Sequence, residues 1–316
     1  MLQTDTHEMN TRSHSMPVTE SSPVCTLAIG ARYTTLTSGS SRNSRITTSP
    51  EFSAGIELGR DIARNDKIIS STSLARLEHT LAQMRKLCEN KGISSVPGVA
   101  SAAVSSAANS TDVQALAERY DFQIELIDSQ RECELDYQAV TNGRPNQLVC
   151  TLRSHSCNTA WLYDGGIETN HVDAGYEEAF DQFVRNASSI AEACSAFGMH
   201  LKNYLDFLPI AMNQLIVTTA LPCAGYISDL DHKAAGSTIL SRPDVTGKLQ
   251  DLQSLSKLKF EHLTKLTGNI SELLPGIIFI DYLLHRTNME QVLVTDSGLS
   301  TAMIRQHFNS GNAASS

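Results

Sequence analysis

One order of elements occurs twice along the chain, and it constrains the fold more than any other feature of the sequence. Each occurrence opens with three short apolar, β-branched segments divided by turn residues, and each continues with alternating helix and strand patterns. The first occurrence starts at Val24 and the second at Gln147. The repeated order predicts an α/β protein of two lobes with a cleft between them, and ligands commonly bind in such clefts.

The first occurrence predicts short strands and amphipathic helices. Its predicted strands are 24–29, 33–37, 45–58, 96–104 and 122–127. The longest predicted helix contains Leu77, Leu81 and Met84, which recur at helical spacing. Two further helices are predicted to begin near Asn109 and Ser129.

The segment 141–145, Thr-Asn-Gly-Arg-Pro, is the strongest internal break, because an Asn-Gly turn is followed by a proline that cannot continue a helix. We therefore place the two lobes at 24–145 and 146–310. The elements predicted in the second lobe are strands 147–152, 159–163, 167–172, 215–219 and 291–295, and helices 176–197, 276–285 and 298–308. The polar ends, 1–23 and 311–316, lack periodicity and are predicted to be disordered tails.

Charge and composition argue against several classes of function. The 25 Lys and Arg residues are outnumbered by 34 Asp and Glu, and the net charge of −9 disfavours binding of a nucleic-acid polymer or an anionic membrane surface. The seven cysteines, an odd number without a Cys-x-x-Cys pair, are typical of reduced core residues. No stretch is typical of a signal peptide or a membrane span, so we expect a cytoplasmic protein.

Five segments carry a resemblance to a known family. They are Val-Ala-Ser-Ala-Ala-Val at 99–104, Ala-Ala-Asn at 107–109, Ile-Glu-Leu-Ile-Asp-Ser-Gln-Arg-Glu at 124–132, Leu-Pro-Gly-Ile at 274–277 and Val-Leu-Val-Thr-Asp-Ser-Gly-Leu at 292–299. In order and spacing they resemble the Ppx/GppA phosphatase family, the exopolyphosphatases and guanosine pentaphosphate phosphohydrolases of the actin and sugar-kinase superfamily. The resemblance runs from about Val24 to Ile304.

The resemblance implies two ribonuclease-H-like lobes and hydrolysis of a terminal phosphoryl group in the cleft between them. It further implies two backbone loops that cradle phosphates, acidic residues that hold magnesium and a glutamate that orients the attacking water. Members of the family form dimers, so the resemblance also implies a homodimer.

Few residues of the family's two phosphate-loop motifs are present in this sequence. The first has the family pattern Asp-x-Gly-Ser-Asn-Ser, whereas residues 28–33 are Ala-Ile-Gly-Ala-Arg-Tyr, so Gly30 alone is kept. The second has the pattern Asp-x-Gly-Gly-Gly-Ser-Thr-Glu, whereas residues 151–158 are Thr-Leu-Arg-Ser-His-Ser-Cys-Asn. No Asp lies between Pro23 and Gly59 or between residues 140 and 163, so shifting the alignment by a residue or two does not restore the missing acids.

Glu132 falls where the family places its catalytic glutamate, which implies a general base for water. The residues themselves favour a structural role for Glu132. Ser129 to Glu132 form a capping-box pattern, in which the Glu132 carboxylate bonds back to the cap amide and complements the helix dipole. Glu134 and Asp136 on the same predicted helix are interpreted as ordinary surface acids.

The leading hypothesis is a non-catalytic regulatory homologue with a degraded phosphate and magnesium site, for which no cofactor is expected. Arginine binds phosphate without a metal, and Arg32 and Arg153 stand at the centres of the two former phosphate loops. The predicted ligand-binding residues are Gly30, Arg32, Arg153, Ser154, His155 and Ser156. The predicted ligands are phosphate, polyphosphate or a guanosine polyphosphate. The alternative interpretation is that both arginines are solvated loop residues without a ligand.

Two alternatives stay open. The first is an active exopolyphosphatase or guanosine pentaphosphate phosphohydrolase that uses Glu132 with a rebuilt magnesium site, to which Asp136 and Asp296 would contribute carboxylates. The second is a structural protein or the partner of an active relative in a heteromer.

Overall fold

Two mixed sheets organise the chain in the computed structural model, which describes residues 23–42, 45–141, 144–172, 174–210, 212–218, 221–228, 236–266 and 270–313. The strands of the first sheet are β1 (Val24–Ile29), β2 (Tyr33–Arg42), β3 (Arg45–Gly55), β4 (Val96–Ala100) and β5 (Phe122–Leu126). Their order is β3-β2-β1-β4-β5, with an antiparallel meander β1-β2-β3 and with β4 and β5 parallel to β1.

The second sheet repeats this arrangement and adds one strand. Its strands are β6 (Gln147–Leu152), β7 (Cys157–Tyr163), β8 (Gly166–Val172), β9 (Gln214–Thr218), β10 (Ser237–Ser241) and β11 (Gln291–Thr295). The order is β10-β11-β9-β6-β7-β8, again an antiparallel meander followed by parallel neighbours. The predicted α/β fold class and its repeated order of strands are therefore confirmed.

The helices cover both sheets and each sheet has its own apolar core. In chain order they are α1 (Leu58–Arg64), α2 (Ser71–Asn90), α3 (Ala102–Ser105), α4 (Ser110–Glu118), α5 (Ser129–Thr141), α6 (Tyr176–Ala179), α7 (Ile190–Leu205), α8 (Leu221–Ser228), α9 (Arg242–Ser254), α10 (Lys257–Leu266), α11 (Ile270–Arg286) and α12 (Leu299–Ala313). In the part of the chain that the structure describes, none of them is both long and apolar enough to cross a membrane.

Helix α5 lies between the two sheets and is buried on both sides. Leu135 packs with Val99 of the first sheet, whereas Tyr137 packs with Val149 of the second. Asp136 is 1% exposed. The interpretation of Asp136 as a surface acid is therefore wrong, because the helix has little exposed face to fill.

Several predicted element bounds are also corrected. The helix predicted over 176–197 is two helices: α6 continues as a π-helical turn (Phe180–Val184), and α7 begins after Ser189, whose Oγ accepts the amide of Glu192 at 3.1 Å. Strand β10 was not predicted, since it is short and partly polar.

The structure tests only part of the predicted tails and of the predicted lobe boundary at residue 145. Helix α12 runs to Ala313, so the part of the predicted tail from 311 to 313 is helical. Residues 1–22, 314–316 and the Asn-Gly pair at 142–143 lie outside the described residues. All described strands before residue 145 belong to the first sheet, and all described strands after it belong to the second. Helix α12 nevertheless packs on β1 and β2 of the first sheet. The placement of a lobe boundary at residue 145 stays a prediction.

Candidate functional site

The first of the two former phosphate loops is the tight turn between β1 and β2. The Gly30 amide donates to the Tyr33 carbonyl at 2.8 Å, and a Cβ at position 30 would lie 2.9 Å from that oxygen. Glycine is thus required at position 30, because any side chain there would collide with the Tyr33 carbonyl. The turn directs Arg32 toward the helices that follow the second sheet.

Arg32 is held by groups from α6 and α11. Its Nη1 donates to the Tyr176 hydroxyl at 2.9 Å and to the Glu272 carboxylate, and it lies 4.0 Å from the Glu177 carboxylate. Although burial opposes the charge, Tyr176 and Glu272 raise the pKa of Arg32 above its ordinary value. The Arg32 guanidinium thus already has carboxylate partners, and its predicted role in ligand binding stays a prediction.

The second loop, residues 153–156 between β6 and β7, is fixed to the start of α6. The Arg153 amide donates to the Ser156 carbonyl at 2.8 Å, while the amides of Tyr176 and Glu177 donate to the carbonyls of Arg153 and Ser154 at 2.9 and 3.0 Å. Ser154 and Ser156 are buried. Two carbonyls of this loop therefore accept the first amides of α6 and fix the loop to the helix.

The Arg153 side chain turns away from the cleft and pairs with two carboxylates of α5. Its Nη2 donates to Asp136 Oδ1 at 2.5 Å, and its Nε lies 3.7 Å from Glu132 Oε1. Both acids are 1% exposed. Burial opposes the Arg153 charge, but Asp136 and Glu132 raise its pKa above its ordinary value.

Asn158 and His171 complete this buried network. Asn158 Nδ2 donates to Glu132 Oε2 at 3.2 Å and to Asp136 Oδ2 at 3.3 Å, and His171 Nδ1 donates to Asn158 Oδ1 at 2.7 Å. One guanidinium faces two carboxylates, so negative charge is in excess. Burial and the neighbouring Glu132 accordingly raise the pKa of Asp136, against the opposite effect of Arg153.

Glu132 does not cap its own helix. The cap of α5 is Asp128, whose Oδ1 accepts the Arg131 amide at 2.8 Å, so the capping-box interpretation is wrong. The Glu132 carboxylate instead faces Arg153 and Asn158. Its Oε1 has no hydrogen-bond partner among the described residues, and the general-base role that the resemblance implies stays a prediction.

His155 of the second loop lies close to α1. Its Nδ1 is paired with the Glu178 carboxylate of α6. A Cβ added at Gly59 would lie 2.6 Å from His155 Nε2 and 2.8 Å from the Ala31 Cβ. Burial opposes the imidazolium, but Glu178 and Glu177 raise the pKa of His155. One residue from each loop therefore approaches Gly59.

These residues do not fit a magnesium ion. Mg²⁺ requires oxygen ligands in octahedral geometry, whereas the Arg153 guanidinium donates to Asp136 and lies 3.7 Å from Glu132, the two buried carboxylates of α5. Asp296, the remaining candidate acid, follows β11 and its amide donates to the Gly236 carbonyl at 3.3 Å. Within the described residues, no group of three His, Cys, Asp or Glu side chains is arranged to hold a metal ion.

Six residues of this site were not singled out from the sequence: Tyr176, Glu177, Glu178, Glu272, Asn158 and His171. Asn158 lies within the second loop alignment, where it replaces the family glutamate, so its position was an available signal. Tyr176 and Glu272 lie 144 and 240 residues from Arg32 along the chain. Nothing in the local sequence indicates such distant partners.

Comparison with known proteins adds the fold. No protein-family model and no curated protein matches the sequence. A crystal structure of the Aquifex aeolicus member of the Ppx/GppA family is similar, with a TM-score of 0.78 and 15% identity over 94% of this chain and 99% of that chain. An exopolyphosphatase from Cytophaga hutchinsonii has a TM-score of 0.74 and 16% identity over 91% of this chain and 98% of that chain. The resemblance seen in the sequence is confirmed at the level of the fold: over more than nine-tenths of its length, this chain has the fold of the Ppx/GppA phosphatase family.

Proposed function

We propose that this protein is a non-hydrolytic member of the Ppx/GppA phosphatase family that holds a phosphorylated ligand in a regulatory role instead of cleaving it. One observation carries the first half of the proposal. Glu132, which stands at the position of the family's catalytic glutamate, is 1% exposed. Its Oε2 accepts a hydrogen bond from Asn158, and its Oε1, which has no hydrogen-bond partner in the described part of the chain, lies 3.7 Å from Arg153 Nε. In this state the carboxylate does not orient an attacking water.

The loops supply little of the remaining chemistry. Phosphoryl transfer depends on positioning and on electrostatic stabilisation by metal ions and aligned donors. The loss of one such donor costs about 10²–10³ in rate. Here the loop acids and the second loop's glycines are missing, and the second loop's carbonyls bind α6. We therefore expect turnover below detection.

Anion binding is supported best at Arg32. Its side chain is 18% exposed and stands beside the Tyr176 hydroxyl, so two donors of the kind that bind phosphate oxygens lie together at the cleft. Arg153 supports this role less, because two buried carboxylates already surround it. The proposed ligands are phosphate, polyphosphate or a guanosine polyphosphate.

Phosphate release tests the proposal directly. Wild type and Glu132→Gln are incubated with long-chain polyphosphate or guanosine pentaphosphate in the presence of magnesium or manganese. We expect no release from either protein, together with calorimetric binding of one of these ligands to both. Magnesium-dependent release by wild type that disappears in Glu132→Gln would overturn the proposal and establish the active alternative.

The family resemblance also supports a homodimer as the assembly in which this protein acts. Sedimentation equilibrium at micromolar protein concentration tests it. We expect twice the chain mass of 34.4 kDa, and a monomer over the whole concentration range would contradict the proposal.

A further inference from the structure

We infer that Glu272 is an internal substitute for the anionic ligand: its carboxylate occupies Arg32 and Tyr176 until a phosphoryl group takes its place. This inference rests on the proposed function and adds to it a device that controls the same site. The geometry of three side chains from three separate segments supports it.

The first step is the donor set. Arg32 Nη1 donates to both the Tyr176 hydroxyl and the Glu272 carboxylate, and the Tyr176 hydroxyl also hydrogen-bonds to Glu272. A guanidinium and a hydroxyl therefore converge on one carboxylate. The same pair of donors suits a phosphate oxygen, because both anions accept charge-assisted hydrogen bonds of similar geometry.

The second step is access. The side chains of Arg32 and Glu272 are 18% and 13% exposed, so the pair lies at the edge of solvent. The carboxylates that hold Arg153 are 1% exposed and are closed to exchange. The Arg153 side chain is itself 21% exposed, so the two sites differ in their carboxylates, and Glu272 is the partner that solvent reaches.

The third step is the state of the released carboxylate. Glu272 lies in the first turn of α11, where the helix dipole favours a negative charge. Glu272 therefore keeps a favourable environment when it leaves Arg32. The dipole of α11 therefore lowers the free-energy cost of replacing Glu272 by another anion at Arg32.

The exchange has a structural consequence. Arg32 belongs to the turn between two strands of the first sheet, whereas Glu272 belongs to a helix that packs in the core of the second. Their ion pair ties the two halves of the molecule together at the cleft. A ligand that replaces Glu272 removes this ion pair but is held by Arg32 of the first half and Tyr176 of the second, so ligand binding exchanges one contact between the two halves for another.

Calorimetric titration with inorganic tripolyphosphate, in the absence of divalent cations, tests the inference. The proteins are wild type, Glu272→Gln, and the control Glu290→Gln, which removes the carboxylate partner of Arg242 on the surface. Because glutamine no longer competes as an anion, we expect Glu272→Gln to bind at least about tenfold more tightly than wild type. Glu290→Gln should bind as wild type does.

A fourth protein, Arg32→Met combined with Glu272→Gln, should lose the gain in affinity. Equal affinity of wild type and Glu272→Gln would overturn the internal substitute but leave the proposed ligand binding standing. Absence of binding by every protein would overturn both. Circular dichroism of Glu272→Gln verifies that the variant is folded, so that a loss of binding is not caused by unfolding.

Discussion

The two former phosphate loops differ in how they use the same residue. Each carries an arginine at its centre, and each arginine is paired with carboxylates of this chain. Arg153 turns inward to Glu132 and Asp136, which are almost fully buried between the sheets. Arg32 turns across the cleft to Glu272, at the edge of solvent.

The difference teaches that arginine at the centre of a loop can have two different physical roles. In the second loop, Arg153 neutralises two carboxylates whose burial would otherwise be unfavourable, so it stabilises the core. In the first loop, arginine pairs with a partly exposed carboxylate, which is the arrangement on which the proposed anion binding rests. The contrast predicts a large stability effect at one arginine and a small one at the other.

The largest expected effect follows from Arg153→Met. The substitution leaves Glu132 and Asp136 buried without their counter-charge, which costs about 3 kcal/mol in the free energy of unfolding. Urea denaturation measures this change. Arg185→Met is the control, since its ion pair with Asp181 is mostly exposed, and it should change stability by less than about 0.5 kcal/mol.

A smaller effect is expected for Gly59→Ala. The new Cβ would press on the His155 ring and on Ala31, and relief of this overlap costs about 1–3 kcal/mol. Gly247→Ala in α9 is the control, because nothing lies within 4 Å of its Cβ position and alanine favours a helix. A tolerated Gly59→Ala would show that His155 and Ala31 do not crowd position 59.

Arg32→Met should cost about 1 kcal/mol, clearly less than Arg153→Met, because its partners are partly exposed. The same urea denaturation measures it. If Arg32→Met proves as damaging as Arg153→Met, the distinction between an exchangeable and a buried arginine is wrong.

The smallest effect concerns pH. The folded-state pKa of His155 is raised, so its protonated form stabilises the fold below the ordinary histidine value of 6.5, and this contribution is lost as pH rises through the raised value. His155→Gln should abolish this decline above pH 6.5, and the decline itself is below about 1 kcal/mol because the Glu178 pair is partly exposed. Thermal denaturation across this range compares it with His79→Gln, an exposed histidine of α2.

The architecture was accessible from the sequence because the strands and helices that build it are signalled locally. Strands Val24–Ile29 and Gln291–Thr295 were predicted to the residue, since each is a short run of apolar and β-branched residues. The break before Ile190 was missed, because apolar periodicity continues on both sides of the cap residue Ser189. Capping is decided by side-chain hydrogen bonds that the periodicity does not show.

The site was accessible in part. The sequence located both loops and the arginines in them, because loop composition departs from the family pattern there. It did not show where the arginines point. The partner of Arg32 lies 240 residues away, and Asp136 resembles a surface acid until the second sheet is placed over α5. Pairings between distant segments come from the fold as a whole.

The most direct test of the account is the coupling energy between Arg153 and Asp136. Urea denaturation of wild type, Arg153→Met, Asp136→Asn and the double variant gives this quantity. If Arg153 neutralises the buried carboxylates of Glu132 and Asp136, the double variant is more stable than Arg153→Met alone, with a coupling energy of about 2 kcal/mol. Additive effects within about 0.5 kcal/mol would contradict the account, since Glu132 would then stand in a site that Arg153 does not close.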